Sequence, residues 1–154
     1  MEYKAQYEAY LAQASKALDA ACGQFLPETS EVCRAARYSL LGGGKRIRAV
    51  LVLSVCDLLG GDKAAAGQFA AAVEMLHCYS LIHDDLPCMD NDDLRRGRPS
   101  CHKAFDEATA MLAGDVLLTE AFEVVANAPA SAQACVRAAR ALGAGAGSRG
   151  MVYG

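Results

Sequence analysis

A chain of 154 residues with a net charge of −3 is one domain's worth of polypeptide, long enough to bury a core. The charge balance points to neither nucleic acid nor an anionic membrane. The seven cysteines are odd in number and show no C-x-x-C spacing, which speaks against a disulfide framework and for reduced thiols, most of them small core residues. Apolar residues make up 53%, there is no tryptophan, and no run alternates in the manner of a strand, so the expected class is all-α.

Tyr3, Tyr7, Leu11, Ala14, Leu18 and Cys22 recur at steps of three and four, predicting a first amphipathic helix that Pro27 ends. The polar start, MEYKAQYEAY, does not have the pattern of a signal peptide. A second helix is expected from Ser30 to Leu41, stopped by Gly42–Gly44. A third opens near Lys45 and ends at Gly60–Gly61. Its apolar run, Ala49–Val55, is too short to cross a bilayer, so the expectation is a cytoplasmic protein with no membrane span. Asp62 can cap a fourth helix from Lys63 to about Asp85, apolar on nearly every face and therefore central. Pro87, Gly97 and Pro99 break the next stretch into loop or distorted helix. Asp106 can cap a helix through about Ala126, and a last helix starts near Ser131. No repeat or linker divides the chain, so residues 1–154 read as a single all-helical unit.

The chemistry concentrates in LIHDDLPCMDNDDLRRGRP, Leu81 to Pro99. Asp84 and Asp85 stand at the C-terminus of the central helix, where the dipole is already negative, so a cation is needed to relieve them. Hard oxygen donors suit Mg²⁺, which keeps waters and shares a substrate phosphate. In an unbroken helix Asp90 would point about 240° away from Asp84. Pro87 cannot donate to the carbonyl of His83, and the resulting distortion can bring Asp84 and Asp90 to one mouth. Two basic groups accompany them. Lys45, Arg46 and Arg48 follow a triple glycine and open a helix, where backbone N–H groups are free for an anion. Arg95, Arg96 and Arg98 follow the acids, and guanidinium suits bidentate phosphate contact. Together they describe room for two anions.

The motifs LLGGGKRIRAVLV, AAAVEMLHCYSLIHDDLPCMDNDDLRRGRP and AFDEATAMLAGDVLL resemble those of the trans-prenyltransferases (polyprenyl synthetases), most closely the bacterial farnesyl diphosphate synthases. The likeness runs from about Tyr38 to Ala126, and the D-D-x4-D form with R-R-G is its most specific part. It implies the N-terminal half of an isoprenoid-synthase-type helical bundle, and a Mg²⁺-dependent condensation of isopentenyl diphosphate with an allylic diphosphate, dimethylallyl or geranyl. By the resemblance Asp84 and Asp90 are metal ligands, and Asp85 is a further ligand or a carboxylate behind them. Arg95 contacts the allylic diphosphate. Lys45, Arg48 and Arg96, with His77 beside them, hold isopentenyl diphosphate. Tyr79 and Ser80, five and four residues before Asp84, would floor the growing chain, with farnesyl diphosphate the expected product and geranylgeranyl diphosphate the alternative. His83 and His102 are read as structural, His83 through a hydrogen bond and His102 as a helix-start residue.

Two departures stand out. Ala49 replaces a proline common after the K-R-x-R run, a change that only lessens preorganisation of the helix. Family members run to about twice this length, and the second aspartate-rich motif of the family is absent from these 154 residues. The chain alone is therefore expected to hold half a site, to show weak or no synthase activity, and to expose apolar helix faces that need cover, with a homodimer as the family's usual state. A class I terpene cyclase would share the metal chemistry but has no need for the second, basic site. A non-catalytic truncated subunit of the same fold is the third reading. The spacing of Cys78, His83, Cys88, Cys101 and His102 matches no zinc signature.

Overall fold

The computed structural model describes residues 2–153. Seven α-helices lie among the described residues: α1 Tyr3–Phe25, α2 Glu31–Leu40, α3 Ile47–Leu58, α4 Lys63–Asp84, α5 Cys101–Ala104, α6 Glu107–Ala126 and α7 Ala132–Ala146. A minimal hairpin of β1 (Leu94–Arg95) and β2 (Arg98–Pro99) separates α4 from α5. No described helix is long and apolar enough to cross a membrane.

Side-chain caps start four of these helices where the sequence placed them or within a residue. Ser30, Asp62, Asp106 and Ser131 each accept a hydrogen bond from the backbone N–H three residues on, satisfying a donor that the helix cannot. The end of α1 is closed from outside: the Arg37 guanidinium on α2 donates to the carbonyls of Cys22 and Leu26 and pairs with Glu28 at 2.8 Å. Leu18, Leu26 and Leu40 are buried beside it, so one arginine fixes the α1–α2 corner over the core.

Helix α4 is central, as its all-round apolar pattern predicts. Ala65, Ala66, Ala70, Ala71 and Ala72 are buried along its first half, and Met75, Leu76, Tyr79 and Ile82 along its second. It packs on α1 and α3 through a cluster of Ala14, Ala49, Leu53, Ala66 and Ala70. On its other side the main core joins it to α6 through Ala110, Ala113, Leu117, Ala121 and Val124. Small residues let the axes approach closely. The tightest place is Gly114, where an added Cβ would run into the imidazole of His83. That imidazole shares a 2.9 Å hydrogen bond with the Met111 carbonyl and stands edge-on to Tyr79 at 5.7 Å between centroids. His83 is thus the structural residue expected, tying α4 to α6. His102 stands in the opening turn of α5, as expected, and it is also buried, its Nδ1 3.1 Å from Ser100 Oγ.

Two expectations need correction. Helix α3 does not open at Lys45. Arg46 is its N-cap and sits in the left-handed region at φ 48°, so Lys45 and Arg46 belong to the glycine loop and only Arg48 lies on the helix. The stretch after Pro87 is not only loop. Arg96 (φ 54°) and Gly97 (φ 76°) form a two-residue turn with positive φ at both positions, which matches the right-handed twist of a hairpin and pairs Arg95 with Arg98.

All seven cysteines are free, and Cys22, Cys33, Cys78, Cys101 and Cys135 are buried. Burial pushes the Cys78 thiol up to about 12, so it behaves as an apolar core atom. Apolar side chains also remain uncovered. Ile47, Leu51, Val55 and Leu58, spaced by four, four and three residues, form a stripe on the outer face of α3, each at least half exposed. With Tyr7 and Tyr10 of α1 they line an open groove.

The α4–α6 contact yields a stability prediction. Gly114→Ala has to displace the His83 ring, so it should destabilise the chain by about 1–3 kcal/mol. Urea unfolding followed by circular dichroism measures this, and an unchanged midpoint would show that His83 moves aside freely.

Candidate functional site

The turn after α4 is built by what Pro87 cannot do. The helix ends at Asp84, with Asp85 as C-cap, and the Leu86 N–H turns back to the His83 carbonyl at 3.2 Å. Freed from the helix, the chain loops so that the Asp90 N–H donates to the Asp84 carbonyl at 2.8 Å. Asn91, at φ 55°, completes the reversal by donating to the Leu86 carbonyl. Asp84 and Asp90 are therefore neighbours through their backbones, Asp84 half-buried and Asp90 exposed.

Asp85 goes the other way. It is 2% exposed, and both its oxygens are taken by Arg95, from Nε at 2.7 Å and from Nη2 at 2.5 Å. This fork raises the Arg95 pKa above the usual arginine value, against the opposing effect of desolvation. Both Asp85 oxygens thus already accept from Arg95, while Arg95 keeps its Nη1 for other acceptors.

Among the described residues no three His, Cys, Asp or Glu side chains gather as a metal cage. The arrangement does fit Mg²⁺ held in part by others. Two accessible carboxylates supply hard oxygen donors, and water and phosphate oxygens complete such a sphere.

Beside this turn lies a cavity lined by Arg46, Glu74, His77, Asp85, Arg95, Arg96 and Arg98, with Tyr38 at its edge. Its volume of about 40 Å³ holds a water or two but no diphosphate, because the arginines fill it with contacts to the protein itself. Arg96 donates to the Gly43 carbonyl. Its guanidinium lies against Gly44 (φ 122°), where a Cβ would not fit. Arg98 stacks 4.4 Å over the Tyr38 ring, which is fixed by a 2.9 Å hydrogen bond from its hydroxyl to the Pro99 carbonyl.

His77 is half-buried on α4. Burial lowers its pKa, Arg48 lowers it further, Glu74 opposes, and Arg96 and Arg95 add to the lowering. The neutral imidazole is thus favoured in the fold. Because the unfolded chain then binds more protons, this group adds stability as pH rises from its folded pKa toward the ordinary value of about 6.5. His77, Arg48, Arg95 and Arg96 share one electrostatic neighbourhood, as the sequence suggested. Lys45 lies on the other side of its loop, lining the α1–α3 groove, with its carbonyl accepting a 2.5 Å hydrogen bond from the Tyr7 hydroxyl.

Tyr79 and Ser80 part company. Ser80 donates to the His77 carbonyl and lies on the Asp84 face. Tyr79 is about 140° around the helix from Asp84. Its ring is buried against His83 in the seam with α6, so any wall it makes stands between those two helices.

Sequence reasoning missed one pair. Arg46, only 8% exposed, turns inward to Glu74, 2% exposed, at 3.6 Å, and donates to the Leu40 carbonyl at 2.5 Å. The other Glu74 oxygen accepts from the Ala49 N–H at 3.1 Å, capping α3 from across the bundle. The signal was present: Glu74 is the only charged residue between Lys63 and His77. A lone acid in an apolar helix calls for a buried partner.

The family model for polyprenyl synthetase matches residues 29–145. The chain is 54% identical over 144 residues to a chloroplastic heterodimeric geranylgeranyl pyrophosphate synthase large subunit of Arabidopsis thaliana, covering 91% of this chain and 38% of that one. It is 52% identical over 131 residues to the farnesyl diphosphate synthase of Micrococcus luteus, covering 85% and 45%. A geranyltransferase structure from Legionella pneumophila superimposes with a TM-score of 0.92 at 43% identity, over 97% of this chain and 54% of that one. The chain thus spans less than half the length of these two curated relatives and about half that of the solved structure. With its helical bundle, its D-D-x4-D turn and its arginine hairpin, the chain belongs to the polyprenyl synthetase family.

Proposed function

We propose that this chain carries the N-terminal part of an isoprenoid chain-elongating prenyltransferase, which condenses isopentenyl diphosphate with dimethylallyl or geranyl diphosphate to farnesyl diphosphate. The observation that carries the reading is the pairing of the Asp84–Asp90 turn with a neighbouring group of cations, Arg95, Arg96, Arg48 and His77. A terpene cyclase handles one diphosphate, and the basic group supports a site for a second.

In this reading Asp84 and Asp90 hold Mg²⁺ at the mouth, and Asp85 acts behind them by orienting Arg95. When bound, the metal supplies Lewis-acid stabilisation of charge on a leaving diphosphate. Arg95, held by Asp85 through Nε and Nη2, would donate from Nη1 to the departing diphosphate as the allylic C–O bond breaks. Arg48, Arg96 and His77 hold isopentenyl diphosphate so that its double bond faces the allylic carbon, and Lys45 has to swing across its loop to join them. The new C–C bond forms, and the proton lost from the condensed product passes to the released diphosphate. The apolar side of α4 keeps water from the allylic cation. Arg96 has to exchange the Gly43 carbonyl for phosphate oxygens when substrate arrives, since the cavity otherwise has no room.

Because relatives continue well beyond the matched length, the reading assigns turnover to this part joined to the rest of such a protein, with the α3 stripe covered in the assembly. We take a homodimer as the assembly. Likeness to the large subunit of a heterodimeric synthase favours a second reading, in which an unlike subunit supplies the cover. The product is the finer proposal. Farnesyl and geranylgeranyl synthases are similarly close, and Tyr79 in the α4–α6 seam supports the shorter chain.

Three outcomes test this. Calorimetry of the 154-residue chain with pyrophosphate should show at least tenfold tighter binding with Mg²⁺ than with chelator, and Asp84→Asn with Asp90→Asn should abolish that increment. Metal-independent binding in the parent would remove the proposed ligands. The 154-residue chain by itself should turn over isopentenyl and geranyl diphosphates weakly or not at all, and robust turnover by mass-verified protein would contradict the half-site reading. In the protein completed to family length, Tyr79→Ala should lengthen the product by at least one five-carbon unit on chromatography, whereas an unchanged product would rule out the floor.

A further inference from the structure

Glu74 takes no part in the chemistry above, yet like Asp85 it is a buried acid that faces the cations. It is 2% exposed, lines the same cavity as His77, Arg95 and Arg96, and lies one turn before His77 on α4. Its two oxygens reach two different elements. One accepts from the Ala49 N–H, in the first turn of α3. The other faces Arg46, the residue at which the glycine loop becomes that helix. Arg46 in turn holds the Leu40 carbonyl, in the last turn of α2. A single carboxylate therefore links α4, α3, the loop and, through Arg46, α2.

The consequence falls on Lys45 and Arg48. Both are exposed, and both flank Arg46 within the anchored segment. Arg46 adopts φ 48°, a left-handed conformation unfavourable to a residue with a Cβ. An unanchored loop of glycines and a left-handed arginine would relax and take Lys45 and Arg48 with it. Of the loop's cations, only Arg46 is turned inward, and its charge is met by Glu74, while Lys45 and Arg48 keep theirs for an anion.

We propose that Glu74 is a positioning residue for the anion site: through Arg46 and the Ala49 N–H it fixes the Gly42–Arg48 segment so that Arg48 stands ready beside His77 and Arg96. The role rests on the diphosphate reading of the preceding subsection. It predicts that the ion pair can be replaced by neutral groups without loss of the fold but not without loss of anion binding.

The test is the double variant Arg46→Met with Glu74→Gln, in the 154-residue chain. The amide oxygen of Gln can still accept from the Ala49 N–H, and no unpaired charge is left inside. Expected are parent-like helicity and parent-like amide exchange in α6. Pyrophosphate binding without metal should fall at least tenfold, and exchange of the amides from 43 to 49 should speed up at least tenfold. The His77 titration midpoint, followed by NMR, should rise above the parent's, because Arg48, which acts on His77 more strongly than Glu74 does, leaves with the loop; a loop that stays in place would let the loss of the Glu74 charge lower it. Parent-like affinity together with parent-like loop exchange overturns the positioning role, as does a His77 midpoint at or below the parent's. Absence of pyrophosphate binding in the parent overturns the diphosphate reading and this role with it, and loop exchange then reports the anchoring separately. Should the double variant unfold, Arg46→Lys decides. It keeps the charge and loses the guanidinium fork, so affinity should fall at least threefold, and parent-like affinity overturns the role.

Discussion

One end of this bundle crowds cations together. Arg46, Arg48, Arg95, Arg96 and Arg98 converge beside His77, and like charges at such spacing repel strongly once partly removed from water. The fold can exist only if that repulsion is met. Two buried carboxylates meet it, Glu74 against Arg46 and Asp85 against Arg95. Arg96 uses the Gly43 carbonyl and Arg98 uses the face of Tyr38. Each of these four arginines thus has a partner within the protein.

The same economy explains where the backbone departs from its preferred regions. Among the described residues three non-glycine positions have positive φ, Arg46, Asn91 and Arg96. All three lie in the loops that carry the charges. Arg46 must turn inward at the base of α3, Asn91 must reverse the chain after the aspartates, and Arg96 must lead the hairpin turn that aims it at the glycine loop. Strain of this kind persists only where surrounding contacts determine it. Here those contacts are the Glu74 and Leu40 anchors, the Leu86 carbonyl, and the two-residue hairpin itself.

Much of the fold was legible in the sequence because it follows from local rules. The caps at Ser30, Asp62, Asp106 and Ser131 are side chains that bond to their own helices, so three residues of sequence suffice to find them. The centrality of α4 could be read from its apolar residues on every side. The turn at Pro87 follows from a missing N–H. The start of α3 was misread because a run of good helix formers after glycine looks like a helix opening, and only the distant carboxylate of Glu74 explains why Arg46 leaves the helical region. The hairpin was missed because two paired residues on each strand carry no periodic signal.

The sequence by itself determined the inventory: an all-helical chain, an aspartate turn, and two basic groups in motifs shared with the polyprenyl synthetases. Those are properties of composition, spacing and local hydrogen bonding. Tertiary structure decided the allocation. It sent Asp85 to Arg95 and left Asp84 and Asp90 accessible. It turned Arg46 inward while Lys45 and Arg48 stayed exposed, and it set Tyr79 in the α4–α6 seam with Ser80 facing another way. Adjacent residues of the same type received opposite roles because burial and partner choice depend on which helix passes nearby, and Gly114 and the alanines of α4 and α6 fix how near it comes.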